Sequence, residues 1–233
     1  MKIALLGYGK MGKEIEKIAL SRGHEIVLKK TSNNTFENLE QADVAIDFSL
    51  PSTAVENISA CLNANVPVIC GTTGWLDHYN EMVTLCQVKD GAFLYASNFS
   101  VGVNIFFELN NQLAKLMAKL NNYNVSMEEI HHTQKLDAPS GTAISLANGI
   151  IDHSRFEKWT LENPASNEIH IEAKRIANVP GTHIVNYRSI VDEIEIKHEA
   201  FSREGFALGA VIAAEWIANK KGIFTMKDVL NLG

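Results

Sequence analysis

The stretch LLGYGKMGKEIE, Leu5 to Glu16, joins an apolar run to an amphipathic one. Gly7, Gly9 and Gly12 give the spacing G-x-G-x-x-G between the strand-like KIALL and a helix expected from Met11 to Ser21. Each glycine has a distinct job in such a turn. The first permits the tight bend, the second lets backbone approach a pyrophosphate, and the third lets helix and strand pack closely. The helix start then offers N–H groups and a partial positive charge to phosphates. Gly7, Tyr8, Gly9, Lys10, Met11 and Gly12 are therefore candidate dinucleotide contacts.

Working outward, HEIVLK, ADVAIDF, VPVICG and AFLYA read as further strands. Helices are expected over Thr53 to Asn63 and Asp77 to Gln87. Strand–helix alternation with short links implies right-handed crossovers and a mostly parallel sheet. The second strand ends VLKKTSNN, without the acid that commonly holds a ribose diol. Lys29, Lys30, Thr31 and Ser32 suit either a 2′-phosphate or simple solvation. CGTTGW and ASNFSVG follow the fourth and fifth strands, where such sheets place ligands. Gly71, Thr72 and Thr73, with Ala96, Ser97, Asn98 and Phe99, are nicotinamide-side candidates or plain turns.

The pattern changes after Asn98. VGVNIFFELNNQLAKLM reads as one long helix, followed by NVSMEEIHH, a helix from Ser140 to about Asp152, and three strand-like runs. These lie near Ile169–Ile176, His183–Arg188 and Asp192–Phe201. In the last, Ile194, Ile196 and His198 alternate with charged residues, so one face should be buried and one polar. An open, mixed or antiparallel sheet covered on one side is expected. The final GFALGAVIAAEWIANKKG is too apolar to stand alone and should pack back on the first domain. The expected division is 1–100 with 206–233 for the dinucleotide and 101–205 for substrate and oligomerisation.

HHTQKLDAPSGT, His131 to Thr142, gathers donors with little apolar surface. Pro139 suits the entry to a helix, Ser140 its cap, and Gly141 a close backbone approach. With Thr142, the helix start forms an anion site, and His131, His132 and Lys135 add protons and positive charge. The stretch reads as a carboxylate receptor beside an acid catalyst.

Composition narrows the class. No apolar run approaches the roughly 20 residues of a membrane span, and Met1 leads straight into a strand, so no signal peptide is expected and the location should be cytoplasmic. A net charge of −6 without a basic tract argues against a nucleic-acid partner. Cys61, Cys70 and Cys86 match no metal-ligand spacing and read as small buried thiols, and no metal is expected.

The histidine stretch resembles the signature E-x-H-H-x-x-K-x-D-A-P-S-G-T-A of the 4-hydroxy-tetrahydrodipicolinate (dihydrodipicolinate) reductase family. Glu129 to Ala143 match it, and GYGKMG, DVAIDFS, GTTG, SNFSVGVN, R…PGTH and GAVIAAEWI…GIFTMKDVL carry the likeness over nearly the whole chain. The resemblance implies a Rossmann-like first domain and NADH, NADPH or both. It implies His131 and Lys135 as proton donors, and His132, Ser140, Gly141 and Thr142 as contacts of a dicarboxylate. It also implies a homotetramer joined through the second domain's sheets. Three departures stand out. Thr31 replaces the family's usual ribose acid, IAN follows Arg175 where many members have glycines, and the chain is short. Rival readings are an aspartate or homoserine dehydrogenase-like enzyme, which has no need of H-H-x-x-K before P-S-G-T, and a regulatory paralogue, which would lack a proton donor.

Overall fold

In the computed structural model, residues 1–33 and 35–232 are described. The chain divides into two compact units, Met1–Val101 with Arg203–Gly233, and Gly102–Ser202.

The first unit alternates as the sequence predicts. β1 (Lys2–Leu6), α1 (Lys10–Ser21), β2 (Glu25–Lys30), β3 (Val44–Asp47), α2 (Pro51–Asn63), β4 (Val68–Cys70), α3 (Tyr79–Val88) and β5 (Ala92–Tyr95) follow in order. After the second unit come α6 (Glu204–Ile217), β11 (Gly222–Phe224) and α7 (Met226–Leu230). All the paired strands run parallel, in the order β11-β5-β4-β3-β1-β2. The strands are apolar on both faces because helices cover both. Ile3, Leu5, Ile46 and Leu94 pack with α1 and α6, whereas Ala4, Leu6, Ala45, Val68 and Phe93 pack with α2 and α3. The chain leaves β1 toward β2 on one side and returns to β3 on the other. The carboxyl ends of β1 and β3 therefore flank the switch point, where doubly wound sheets bind ligands.

Two details depart from expectation. The last helix ends at Ile217, and the residues beyond it supply β11 beside β5. Its three residues, GIF, follow the polar NKK and sit in no longer apolar run of the kind that marks β4 in VPVICG. The helix expected from Asp77 begins instead with a 3-10 turn, Leu76–His78.

The second unit comprises α4 (Val101–Met117), which begins at its border, then β6 (Asn124–His131), α5 (Gly141–Ile151), β7 (Lys158–Thr160), β8 (Glu168–Arg175), β9 (Gly181–Arg188) and β10 (Glu193–Ala200). Its sheet is open and mixed, ordered β10-β9-β6-β8-β7. β6 pairs antiparallel with β9 and parallel with β8. One face is covered: Phe106, Ala114, Leu146 and Ile150 of α4 and α5 meet Val125, Met127, Ile169, Ile171 and Val185. The expected burial of alternate residues in β10 is only partly realised. Ile194 is exposed, while Ile196 and His198 are half-buried. β10 is the edge strand, and the helical cover thins out before reaching its far end.

α6 reaches the sheet because it is small. A Cβ on Gly209 would lie 1.7 Å from the Phe99 carbonyl oxygen, backbone against backbone. A Gly205 Cβ would meet only Ser100 Oγ at 3.7 Å. Gly209→Ala should therefore lower Tm sharply or prevent folding. Gly205→Ala should leave Tm nearly unchanged, since the residue lies in the first turn of α6 and its Cβ would make only an ordinary contact. Thermal melts of both variants check this.

Candidate active site

The carboxyl edge of the first sheet is stitched by backbone hydrogen bonds. Gly7 N–H donates to Lys30 O, Phe48 N–H to Leu6 O, Gly71 N–H to Asp47 O, and Ala96 N–H to Cys70 O. The predicted loops thus share one edge. Gly7 has φ +96°, and a Cβ there would strike Phe48 O at 2.2 Å. A Gly12 Cβ would meet Gly7 O at 2.3 Å, and one on Gly71 would enter the Phe48 ring. These glycines are demanded by the protein's own packing. Gly9 differs: it is the N-cap of α1 and a Cβ there would meet nothing within 4 Å. The space beside Gly9 is the kind of cradle a pyrophosphate fills, with Lys10 and Met11 opening the helix.

Other predicted contacts face inward. Thr72 is buried, and its hydroxyl donates to Asp47 Oδ2 at 2.6 Å and accepts from Ser49 N–H at 2.8 Å. Ser49, Asn57 and Cys70 also donate to the Asp47 carboxylate, whose pKa burial nevertheless pushes up. The Thr72 side chain therefore fixes the loop, while Thr73 and Ser97 are exposed. Phe99 is a core side chain tilted against the Phe48 ring, and Asn98 Oδ1 accepts from Ser100 N–H. Ala96 is half-buried and packs against the core. Tyr8 donates its hydroxyl to Glu16. Of the two lysines at the end of β2, Lys29 is turned to Glu16 and lies over the Tyr8 ring, whereas Lys30 lies over the Phe36 ring, 4.6 Å from its centre. The positive charge offered there is thus mainly that of Lys30, next to Thr31, whose hydroxyl accepts from Asn33 N–H.

In the second unit, chemistry concentrates at one end of the helix-covered face. Along β6, Val125, Met127, Glu129 and His131 share the buried parity. Arg175 continues the parity of Ile169 and Ile171 in β8, and His183 that of Val185 and Tyr187 in β9. Register sets Glu129 opposite His183 and His131 opposite Arg175. A polar block thus occupies the end of an apolar face. Glu129 is its centre, with no exposed surface. Its Oε2 accepts from Ser140 N–H at 3.1 Å and lies 3.0 Å from His131 Nδ1, while Oε1 accepts from Arg175 at 3.0 Å. The His131 approach is close but not linear. Burial raises the Glu129 pKa, but the contacts from His131, Ser140 and Arg175 outweigh it and hold it at about 2.

Ser140 is the cap of α5, as predicted: its Oγ accepts from Ala143 N–H at 3.2 Å and sits 3.0 Å from His183 Nε2. Burial, then the neighbouring His131, lowers the His183 pKa to about 3, so that ring is neutral. Gly141 opens the helix, exposed, with nothing within 4 Å of a Cβ position, and half-buried Thr142 follows. Arg175 also donates to Lys135 O at 3.3 Å and Asp137 O at 2.6 Å, bracing the loop that carries Lys135. Lys135 Nζ pairs with Asp137, 2.9 and 2.8 Å from its two oxygens, and so holds the Asp137 pKa down. His132 is half-buried beside the same loop.

His131, Ser140, Gly141 and Lys135 are thus brought to one place, and Glu129, Arg175 and His183 are additions the sequence reading missed. Their signal was the strand parity: a polar residue in phase with core residues. Glu129, His131 and His183 are also metal-ligand types with donor atoms within 4.8 Å of one another. A cation there would have to displace the Ser140 and Arg175 donors from the carboxylate.

Comparison with known proteins places this arrangement. The family described as dihydrodipicolinate reductase, N-terminus, matches residues 1–99, and dihydrodipicolinate reductase, C-terminus, matches residues 102–230. A 4-hydroxy-tetrahydrodipicolinate reductase of Christiangramia forsetii is 55% identical over 99% of this chain and 98% of its own. The chain belongs to the dihydrodipicolinate reductase family. The reductase of Thermosipho africanus is 35% identical over 99% of this chain and 98% of its own. Among solved structures, dipicolinate-bound dihydrodipicolinate reductase from Paenisporosarcina sp. TG-14 shares the fold with a TM-score of 0.76 at 23% identity, covering 97% of each chain. Membership makes the chain an oxidoreductase type whose first domain implies a pyridine nucleotide, which the room beside Gly9 suits. No helix among the described residues is long and apolar enough to cross a membrane.

The neutral, buried His183 has a consequence for stability. Its folded pKa, about 3, lies below the ordinary 6.5, so the unfolded chain takes up a proton that the folded one refuses. This contribution is complete above pH 6.5 and is lost as pH falls toward 3, by up to about 1.4 kcal/mol per unit. The urea midpoint should therefore begin to fall between pH 6.5 and about 5.5, ahead of most of the Glu129 contribution, with a share from His198, whose pKa burial also lowers. In His183→Gln that early fall should shrink, leaving the share of His198. A wild-type midpoint constant from pH 7 to 4.5 would contradict this account.

Proposed function

We propose that the chain reduces 4-hydroxy-tetrahydrodipicolinate to tetrahydrodipicolinate, with loss of water, in lysine and diaminopimelate biosynthesis. The observation that carries this reading is the polar block, which gathers His131, Ser140 and the Lys135 loop around one buried carboxylate in a chain of this family.

The pyridine nucleotide, when bound, supplies hydride to ring C4 of the substrate. The protein's part is binding and proton supply. The start of α5, with Ser140, Gly141 and Thr142, receives a substrate carboxylate at N–H groups and a positive dipole end. His132 contributes to the same substrate surface. Negative charge developing on the conjugated ring-nitrogen system is met by His131 and Lys135, which carry the proton. Lys135 lies on exposed Asp137 in the resting chain, and an arriving dicarboxylate competes for its Nζ. In the first domain, Gly7–Gly12, Gly71–Thr73 and Ala96–Phe99 take the cofactor through their backbone and exposed side chains. NADPH serves at least as well as NADH, because Lys30 stands at the end of β2 and no acid does. The enzyme works in the cytoplasm as a homotetramer. The exposed Ile190, Val191 and Ile194 of the β9–β10 hairpin favour a contact through the second sheet.

Loss of absorbance at 340 nm with synthase-generated substrate tests the activity. Lys135→Ala should lower kcat about 10²–10⁴-fold, the range of a general acid, with cofactor Kd unchanged. Near-normal turnover would leave HHTQKLDAPSGT a binding loop only. Lys30→Ala should weaken NADPH about tenfold, the scale of one charge-assisted contact, and leave NADH nearly unaffected. Light scattering that shows only a monomer at micromolar concentration would refute the tetramer.

A further inference from the structure

The polar block contains a residue that neither substrate nor cofactor need touch. We infer that Glu129 is the positioning residue of this site, its carboxylate fixing the His131 ring and the substrate-receiving start of α5 together. The inference rests on the reading of His131 as proton donor and of the Ser140–Thr142 turn as carboxylate receptor.

Three observations carry it. First, the two oxygens divide the work. Oε2 faces His131 Nδ1 and Ser140 N–H, and Oε1 faces Arg175. A carboxylate is the one common side-chain end that accepts at both oxygens without offering a proton. An amide in its place meets a conflict. With its oxygen toward His131 and Ser140, its NH₂ abuts the Arg175 guanidinium. Turned over, its NH₂ abuts the Ser140 N–H. Second, the opposite edge of the ring is seated too. A Cβ on Gly181 would lie 3.2 Å from His131 Nε2 and 3.4 Å from Cδ2, so the glycine makes room for the ring itself. With Glu129 at Nδ1, Nε2 is the ring nitrogen left to pass a proton to the substrate. Third, the same charge reaches Lys135 through Arg175, which bonds Glu129 and the carbonyls of Lys135 and Asp137. One buried anion thus sets the acid, the anion turn and the lysine loop in a single frame, while Glu129 itself has no exposed surface.

The test is a cycle of Glu129→Gln, His131→Ala and the double variant in the full-length enzyme. It is read by kcat, by KM for the dicarboxylate, and by NADPH Kd. Glu129→Gln should lower kcat by about 10²-fold or more, comparable to loss of a positioned acid, and raise KM several-fold. NADPH Kd should stay within a factor of two, because the glycine turn belongs to the other unit. In the His131→Ala background the Glu129→Gln loss in kcat should largely vanish and the rise in KM persist. An equal kcat loss in both backgrounds would make Glu129 merely structural and overturn the inference, as would wild-type kcat in Glu129→Gln. Near-normal turnover of His131→Ala would instead remove the proton-donor reading, and the inference with it. Should Glu129→Gln fail to fold, ¹⁵N spectra of the histidine rings in the wild-type enzyme decide, with His131 assigned through His131→Asn. Neutral His131 should carry its proton on Nδ1. A proton on Nε2 overturns the inference.

Discussion

A carboxylate with no exposed surface sits at the end of an otherwise apolar sheet face, and the second unit's chemistry is arranged around it. Stripped of its partners, the Glu129 charge would be very costly to bury. Arg175, the Ser140 N–H and His131 offset that cost, and in doing so they are drawn together from β8, from the turn before α5 and from β6 itself. The need to satisfy one buried charge is thus what assembles residues 46 positions apart. Removing Arg175 alone would leave that charge without its permanently cationic partner, a loss on the order of 3–5 kcal/mol.

The first unit works by a different constraint, the exclusion of side chains. Gly7, Gly12, Gly71 and Gly209 stand where a single carbon would collide with backbone or ring. The resulting close packing brings four loops to one edge of the parallel sheet. Against this background Gly9 and Gly141 stand out, because the protein's own packing does not require either. Each lies at the start of a helix, with space beside it for an anion. Both units thus carry an uncluttered helix N-terminus, a feature suited to an anion.

Much of this was legible in the sequence. The glycine turn, the long helix over Val101–Met117, the mixed sheet and the Ser140 cap all follow from local spacing, which needs no knowledge of distant partners. Two short strands outside any long apolar run were not legible: β7 and β11 have three residues each and owe their conformation to the strands beside them. Nor was the inward turn of Thr72, because the pull of Asp47 comes from another strand. Glu129 lies between these cases. In NVSMEEIHH it is in phase with Val125, Met127 and His131, so the period of two already marks it as buried. What the sequence lacks is the identity of its partners, which come through register with β8 and β9 and through the Ser140 turn. The Lys29 case is similar: its charge was visible, its pairing with Glu16 across α1 was not.

The central claim is that Glu129 is a permanent anion whose charge holds the block in place. Titration of its side-chain carboxyl by ¹³C NMR, with the signal assigned through Glu129→Gln, measures this directly. The carboxyl should show no protonation step from pH 7 down to the onset of acid unfolding, as expected for a group held at about 2. A protonation step centred near the ordinary glutamate value of about 4.3 in the folded enzyme would contradict the account.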